Sequence, residues 1–144
     1  MDMQATLIGG PVSQIHGPEK VTGRTRFAAD VDMPGMLWGK ILRSPHPHAR
    51  IRRIDASAAW SIPGVKAVVT GQDAPGHLMG KVLRDMPVLC WDRVRYIGDR
   101  VAAVAAETPD AAEAALLLID IDYDVLPAVF DPIEAMRPDD PLLH

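Results

Sequence analysis

The stretch RVRYIGDRVAAVAAETPDAAEAALLLIDIDYDV, residues 93–125, carries the clearest secondary-structure signals of the chain. Residues 101–106 are continuously apolar, which predicts a central strand buried on both faces. Residues 93–97 and 119–125 alternate in polarity, so we expect a strand at each, the second of them half-exposed. A Gly-Asp pair at 98–99 is a turn signal between the first two of these strands.

A helix is predicted between the last two strands. Thr108 suits the N-cap position, and Pro109 suits the first helical position because its missing N–H would be unsatisfied there in any case. Asp110 falls in the first turn, where the helix dipole favours an acidic side chain. The spacing i, i+3, i+4, i+7 predicts that one stripe of this helix packs on the sheet. Its members are Ala111, Ala114, Ala115 and Leu118.

The preceding half of the chain adds further strands. They are predicted at 36–43, 49–55 and 65–70, with a short helix at 56–62. The strand at 49–55 alternates imperfectly, and the strand at 65–70 is rich in β-branched residues, which predicts a buried strand. A Gly-rich connection at 71–86 has no regular pattern. The sum is one mixed α/β domain of the α+β-like kind, with about five or six strands and two helices.

Composition excludes several function classes. Of the 144 residues, 48% are hydrophobic, enough for a core, and 15 basic residues stand against 19 acidic ones, which argues against a nucleic-acid binder. Cys90 is the only cysteine, so neither an intrachain disulfide nor a thiolate metal cluster can form within the chain. No apolar run reaches the roughly 18 residues of a transmembrane helix, and the N-terminus does not resemble a signal peptide. A cytoplasmic protein is expected.

Two histidines, His46 and His48, are the first candidates for a metal site. Alternate residues of an extended segment point to opposite sides, so both could bind one ion only if the adjacent prolines kink the chain. A further ligand, Asp55 or His77, would have to come from elsewhere in the fold. A turn with polar side chains is the favoured interpretation.

Two charged clusters could bind ions. Arg50, Arg52 and Arg53 could contact phosphate, but no aromatic residue is interleaved to stack a base. A solvated strand surface, or a salt-bridged contact with a partner, is favoured. The members of an acidic cluster lie two positions apart along one strand and therefore share one face. The segment lacks the glycine and the distal glutamate of a calcium loop. The cluster consists of Asp120, Asp122 and Asp124.

The remaining candidates lack a complete motif. No glycine lies in a phosphate-binding fingerprint, no serine has a base at the required spacing, and the cysteine lies in an apolar stretch that favours a buried, unreactive thiol. These residues are Gly9, Gly10, Gly71, Gly98, Ser44, Ser57, Ser61 and Cys90. We therefore assign no catalytic, cofactor-binding or metal-binding residue, and expect a structural or docking module, or a fragment of a larger protein.

Several segments, taken in order, resemble one known family. They are EKVTGRTRFAAD (19–30), MPGMLWGKILRSPHPHARIRRID (33–55), IPGVKAVVTGQD (62–73) and the stretch 87–136, which contains VRYIGD and YDVLP. Together they resemble the start of the large subunit of the molybdenum hydroxylases, the xanthine dehydrogenase, aldehyde oxidase and carbon monoxide dehydrogenase family. The resemblance covers about residues 7–143, and its specificity lies in the ordered set.

This resemblance implies an a/b hammerhead domain that precedes the molybdopterin-binding domains. It would comprise an extended lead-in at 1–26, the hammerhead domain at 27–137 and a linker at 138–144. The implied parent is a molybdenum–pterin oxidoreductase with iron–sulfur clusters and possibly FAD, often on separate subunits. The family's cofactor contacts and catalytic glutamate lie in later domains, so this segment should bind no cofactor and be non-catalytic. The partners would be those later domains, which predicts an exposed apolar patch. The alternative is a free-standing interaction module with the same fold.

Overall fold

The computed structural model describes residues 9–141, and the chain divides into two compact units, one ending at Pro34 and one beginning at Gly35. The described part of the first unit contains the helix α1 (Gly17–Val21) and a 3-10 turn at Ala28–Asp30. The extended conformation predicted for the lead-in is therefore wrong over α1. Pro18 in the first helical turn, followed by Glu19, favours that helix.

The second unit holds all the strands of the described residues. They are β1 (Trp38–Arg43), β2 (Ala49–Asp55), β3 (Val65–Thr70), β4 (Leu78–Met79), β5 (Met86–Pro87), β6 (Arg93–Val94), β7 (Arg100–Ala106) and β8 (Asp120–Val125). The helix α2 (Pro109–Leu116) lies between the last two strands. No helix within residues 9–141 is long and apolar enough to cross a bilayer.

The first sheet has the antiparallel order β1-β7-β3, which confirms that the apolar run forms a central strand. Helix α2 covers one face of this sheet. Buried Ala102, Val104 and Ala106 of β7 form one core with buried Ala112 and Ala115 of the helix. The small side chains at this contact let the helix backbone come close to the sheet.

Helix α2 begins as the sequence predicts, because the Thr108 hydroxyl accepts a hydrogen bond from the backbone N–H of Ala111 at 3.1 Å. The predicted buried stripe is wrong at two of its positions. Ala114 and Leu118 are exposed, and Ala112 is buried instead. The helix ends at Leu116, so the chain direction changes before Leu118 and the helical spacing no longer applies.

The second sheet has the order β6-β2-β8 and packs over a second core formed by Ala49, Ile51, Cys90, Val94 and Val101. A bulge in β2 between Ile51 and Arg53 explains the imperfect alternation of this strand. Because the bulge inserts one extra residue, Ile51 and Ile54 can both pack towards the core.

Four other local predictions need correction. The strand predicted at 93–97 is confined to β6, because the chain turns at 96–98. Strand β3 lies at a sheet edge and is only half-buried, and the short helix predicted at 56–62 is a 3-10 turn at Ser57–Ser61. The connection at 71–86 contains a small hairpin, β4 paired with β5, that no alternation predicts.

Candidate functional site

The two histidines are held apart by different contacts. His48 lies with Nδ1 2.7 Å from the carbonyl oxygen of Pro127, whereas the His46 ring packs edge-on against Tyr123 with centroids 5.0 Å apart. His77 lies in the hairpin region, where its carbonyl accepts from the N–H of Val88. Within residues 9–141, no three His, Cys, Asp or Glu side chains are grouped closely enough to hold a metal ion. The structure does not bring the candidate ligands together.

Ser44 is a buried structural residue. Its hydroxyl oxygen accepts a hydrogen bond from the N–H of His46 at 3.0 Å, and this bond closes a tight local turn. Its own N–H donates to the carbonyl of Asp99, and its carbonyl accepts from the N–H of Gly98, both at 2.8 Å. Ser44 is only 2% exposed. These bonds join the end of β1 to the turn before β7, so the role of Ser44 is to hold these two segments together.

The turn at 96–99 is organised by the buried carboxylate of Asp99. Its two oxygens accept from the backbone N–H groups of Arg95, at 3.1 Å, and Arg100, at 3.0 Å, while the residue is 2% exposed. Gly98 precedes it with φ +91°, a conformation that favours glycine. The sequence predicts this turn but not the role of the carboxylate within it. The position of an acid directly after glycine in a turn was the available signal for its backbone-capping role.

Cys90 is fully buried beside this carboxylate. Burial raises the pKa of the Cys90 thiol, and the Asp99 carboxylate, which accepts from the thiol, raises that pKa further. A thiol held in its neutral form is a poor nucleophile and a poor metal ligand. The prediction of a buried thiol is confirmed, and the raised pKa explains why it should be unreactive.

Gly71 also contacts the Cys90 segment through its backbone. A Cβ atom placed on Gly71 would lie 1.9 Å from the Cys90 carbonyl oxygen, so only glycine fits this position. Gly9 adopts φ +80°, and Gly10 beside it is exposed. Ser57 donates its hydroxyl to Asp55, and Ser61 donates to a backbone carbonyl. Both serines therefore have a local structural contact.

The charged clusters neutralise each other on the outer face of the second sheet. Arg53 pairs with Asp120 at 2.8 Å and with Asp55 at 3.0 Å, and Arg52 pairs with Asp124 at 3.2 Å. All five side chains are substantially exposed, so each pair contributes little to stability. The exposure of these arginines agrees with the solvated strand surface that the sequence favours, and their pairing within the chain was not predicted.

Asp55, Asp122 and Arg50 complete this charged face. A hydrogen bond from the Ser57 hydroxyl, followed by the Ser57 backbone N–H and the nearby Arg53, holds the pKa of Asp55 below its usual value. Arg50 lies opposite Asp124 in the strand register, and Asp122 lies opposite Arg53. These two cross-strand pairs each place an acid opposite a base. Asp55 lies opposite another acid, Asp120, and Arg53 pairs with both.

Two grooves are both lined in part by Arg95 and Tyr96. The larger has a volume of about 370 Å³ and the smaller about 180 Å³. The walls of the larger groove are mainly apolar and include Ile97, Phe130 and the ring of His48. Burial and the nearby Asp99 raise the pKa of Tyr96. Among the described residues, no serine, threonine, cysteine or lysine lines either groove.

Comparison with known proteins identifies the family of this chain. Residues 22–127 match the family described as aldehyde oxidase and xanthine dehydrogenase, a/b hammerhead domain. The chain belongs to that family, a domain of the molybdenum hydroxylase large subunits. Its sequence is 50% identical over 129 residues to one subunit of a probable xanthine dehydrogenase of Bacillus subtilis, covering 89% of this chain and 17% of that protein.

Two further relatives extend the likeness. The nicotinate dehydrogenase large molybdopterin subunit of Eubacterium barkeri is 40% identical over 139 residues, covering 96% of this chain and 33% of that protein. A crystal structure of the Cu,Mo-CO dehydrogenase superposes with a TM-score of 0.86 at 38% identity, covering 93% of this chain and 17% of that one. The resemblance and the mixed α/β fold expected from the sequence are thus confirmed. The chain spans a third or less of the length of each of these relatives.

Proposed function

We propose that this chain is a non-catalytic structural domain that supports the catalytic domains of a longer molybdenum hydroxylase subunit. One observation carries the proposal: the match is confined to the hammerhead domain and covers only 17% of the probable xanthine dehydrogenase subunit. The polar groups described above support it. Asp99, Ser44 and Cys90 are buried in contacts that hold the domain together.

A molybdenum–pterin cofactor does not fit the residues of this segment. The candidate ligands lie apart, and the described part of the chain holds no cluster of three metal-binding side chains. The glycines singled out from the sequence lie in turns or against a neighbouring backbone.

The parent complex supplies the chemistry in this proposal. Its cofactors would be a molybdenum–pterin held by later domains of the same subunit, iron–sulfur clusters and possibly FAD on partner subunits. The expected reaction class is hydroxylation or dehydroxylation of a carbon centre in the cytoplasm, with no nucleic-acid partner. The domain divisions at Arg26 and Arg137 belong to the same proposal.

The test compares two preparations from cells that make molybdenum–pterin. One is the 144-residue chain alone, and the other is the native polypeptide, captured with an antibody raised against this segment. Molybdenum is measured by mass spectrometry and pterin by the fluorescence of its oxidised form. We expect both in a polypeptide far larger than 15.6 kDa and neither in the short chain. Stoichiometric molybdenum in the short chain would contradict the proposal.

A further inference from the structure

The first sheet has an apolar face on the side opposite helix α2. Side chains alternate along a strand, so the residues that point away from the buried ones share this face. Two rows cross the three strands in register, and we call these six residues the open face. The rows are Gly39, Ala105 and Ala67, and Ile41, Ala103 and Val69.

Contacts of neighbouring residues establish this orientation. Lys40, between the two β1 members of the open face, pairs with Glu113 of α2 at 3.4 Å. On β7, Ala102, Val104 and Ala106 belong to the core under α2. The alternate positions of both strands therefore point to the other side.

Within residues 35–141, nothing covers the open face. Ile41 is 43% exposed and Val69 is 41% exposed, while the three alanines are only partly buried. An antiparallel sheet with one face in water normally alternates apolar and polar residues, but none of these six side chains is polar. The apolar run of β7 predicts burial on both faces. On the face opposite α2, Val101 is buried in the second core, whereas Ala103 and Ala105 are only partly buried.

We propose that the open face is the surface on which the remainder of the large subunit packs, through an apolar helix or sheet layer. This inference rests on the proposed function and adds the residues that form the contact. Three observations select this occupant. The relatives carry two thirds or more of their length outside the matched segment. The face has no charge with which to select an ionic partner.

The third observation is the shape of the surface. Its centre is made of Ala103 and Ala105, flanked by Gly39 and Ala67, so an incoming backbone can come close. Ile41 and Val69 stand at the two edges. A permanent contact within one polypeptide can tolerate such an apolar surface because the surface is covered as soon as the chain folds, whereas a separate monomer exposing it would self-associate.

The test measures thiol labelling in the full-length subunit within its native complex. Val69→Cys and Ile41→Cys place thiols at the two edges of the open face, and Lys66→Cys is the control. Lys66 is on the same strand as Val69, is 52% exposed and reaches Glu107 rather than the open face. The native Cys90 is buried and serves as an internal reference for an unlabelled thiol. A maleimide is added, the reaction is quenched at intervals, and each peptide is quantified by mass spectrometry.

We expect the Val69→Cys and Ile41→Cys thiols to react at least about tenfold more slowly than the Lys66→Cys thiol, because labelling requires local opening of the contact. Equal rates in the native complex would overturn the inference. Protection lost on dilution, or on separation of the partner subunits, would assign the face to a second copy or another subunit and would also overturn it. If the antibody detects only a 15.6 kDa polypeptide, the proposed function has failed independently of the labelling.

Discussion

Replacement of Gly71 by alanine introduces a methyl group into the backbone contact between the end of β3 and the Cys90 segment. The new Cβ would lie 1.9 Å from the Cys90 carbonyl oxygen and 2.7 Å from the Trp91 nitrogen, whereas real contacts of this kind are essentially never shorter than 3.0 Å. The two segments must separate by about 1.1 Å. Backbone atoms form the obstacle, so no side-chain rotation relieves it.

This separation disturbs a core that includes Cys90, Val94 and Val101. Overpacking costs about 1–3 kcal/mol, and we expect the Gly71→Ala variant at the upper end, about 3 kcal/mol, because neither segment can yield alone. For a chain of this size that loss lowers the melting temperature by roughly 10 °C. Urea denaturation, followed by circular dichroism, measures the free energy of unfolding.

The matched control is Gly39→Ala. Nothing lies within 4 Å of a Cβ built at Gly39, so the change should leave the free energy of unfolding within about 0.5 kcal/mol of the parent, or raise it slightly through the unfolded state. A Gly71→Ala variant as stable as the Gly39→Ala variant would refute the close backbone contact.

Three further results are expected. Thr108→Ala removes the bond to the Ala111 N–H and should cost about 1 kcal/mol in urea denaturation, while Thr108→Ser should restore most of it. Bonds from the N–H and hydroxyl of Thr70 lower the pKa of Asp73, so Asp73→Asn should destabilise above pH 3.8, and its difference from the parent should vanish as the pH falls further. The pKa of Cys90 is raised in the folded state above the ordinary thiol value of 9.0. The folding stability that the neutral thiol contributes is therefore complete below pH 9 and is lost progressively as the pH rises above it. Stability of the parent should therefore fall more steeply above pH 9 than stability of the Cys90→Ala variant; parallel pH profiles would contradict this.

Local signals predicted most elements of the fold. The bounds of β2 and β3 match the sequence prediction, and the cap at Thr108 begins α2 as expected. These features depend on residues within a few positions of each other, so the sequence contains the whole interaction. The hairpin of β4 and β5 has only two residues in each strand, too few for any periodicity to appear.

The candidate site was harder to interpret because its contacts join distant segments. The sequence predicts only a turn at Asp99, yet its carboxylate ends the alternation of 93–97 by binding the Arg95 N–H. Its approach to Cys90 depends on two segments that the sequence separates by nine positions. The pairing of Arg53 with Asp120, 67 positions away, is equally invisible to local pattern.

The sequence by itself determined the kinds of element, the apolar central strand and the family, because composition, caps and ordered motifs are properties of consecutive residues. Only the tertiary structure decided which face of α2 is buried, that Gly71 must lack a side chain and that the open face of the first sheet is uncovered within residues 35–141. Those features depend on which strands become neighbours. Strand order and burial arise from contacts between segments far apart in the chain, and hydrophobic periodicity carries no information about them.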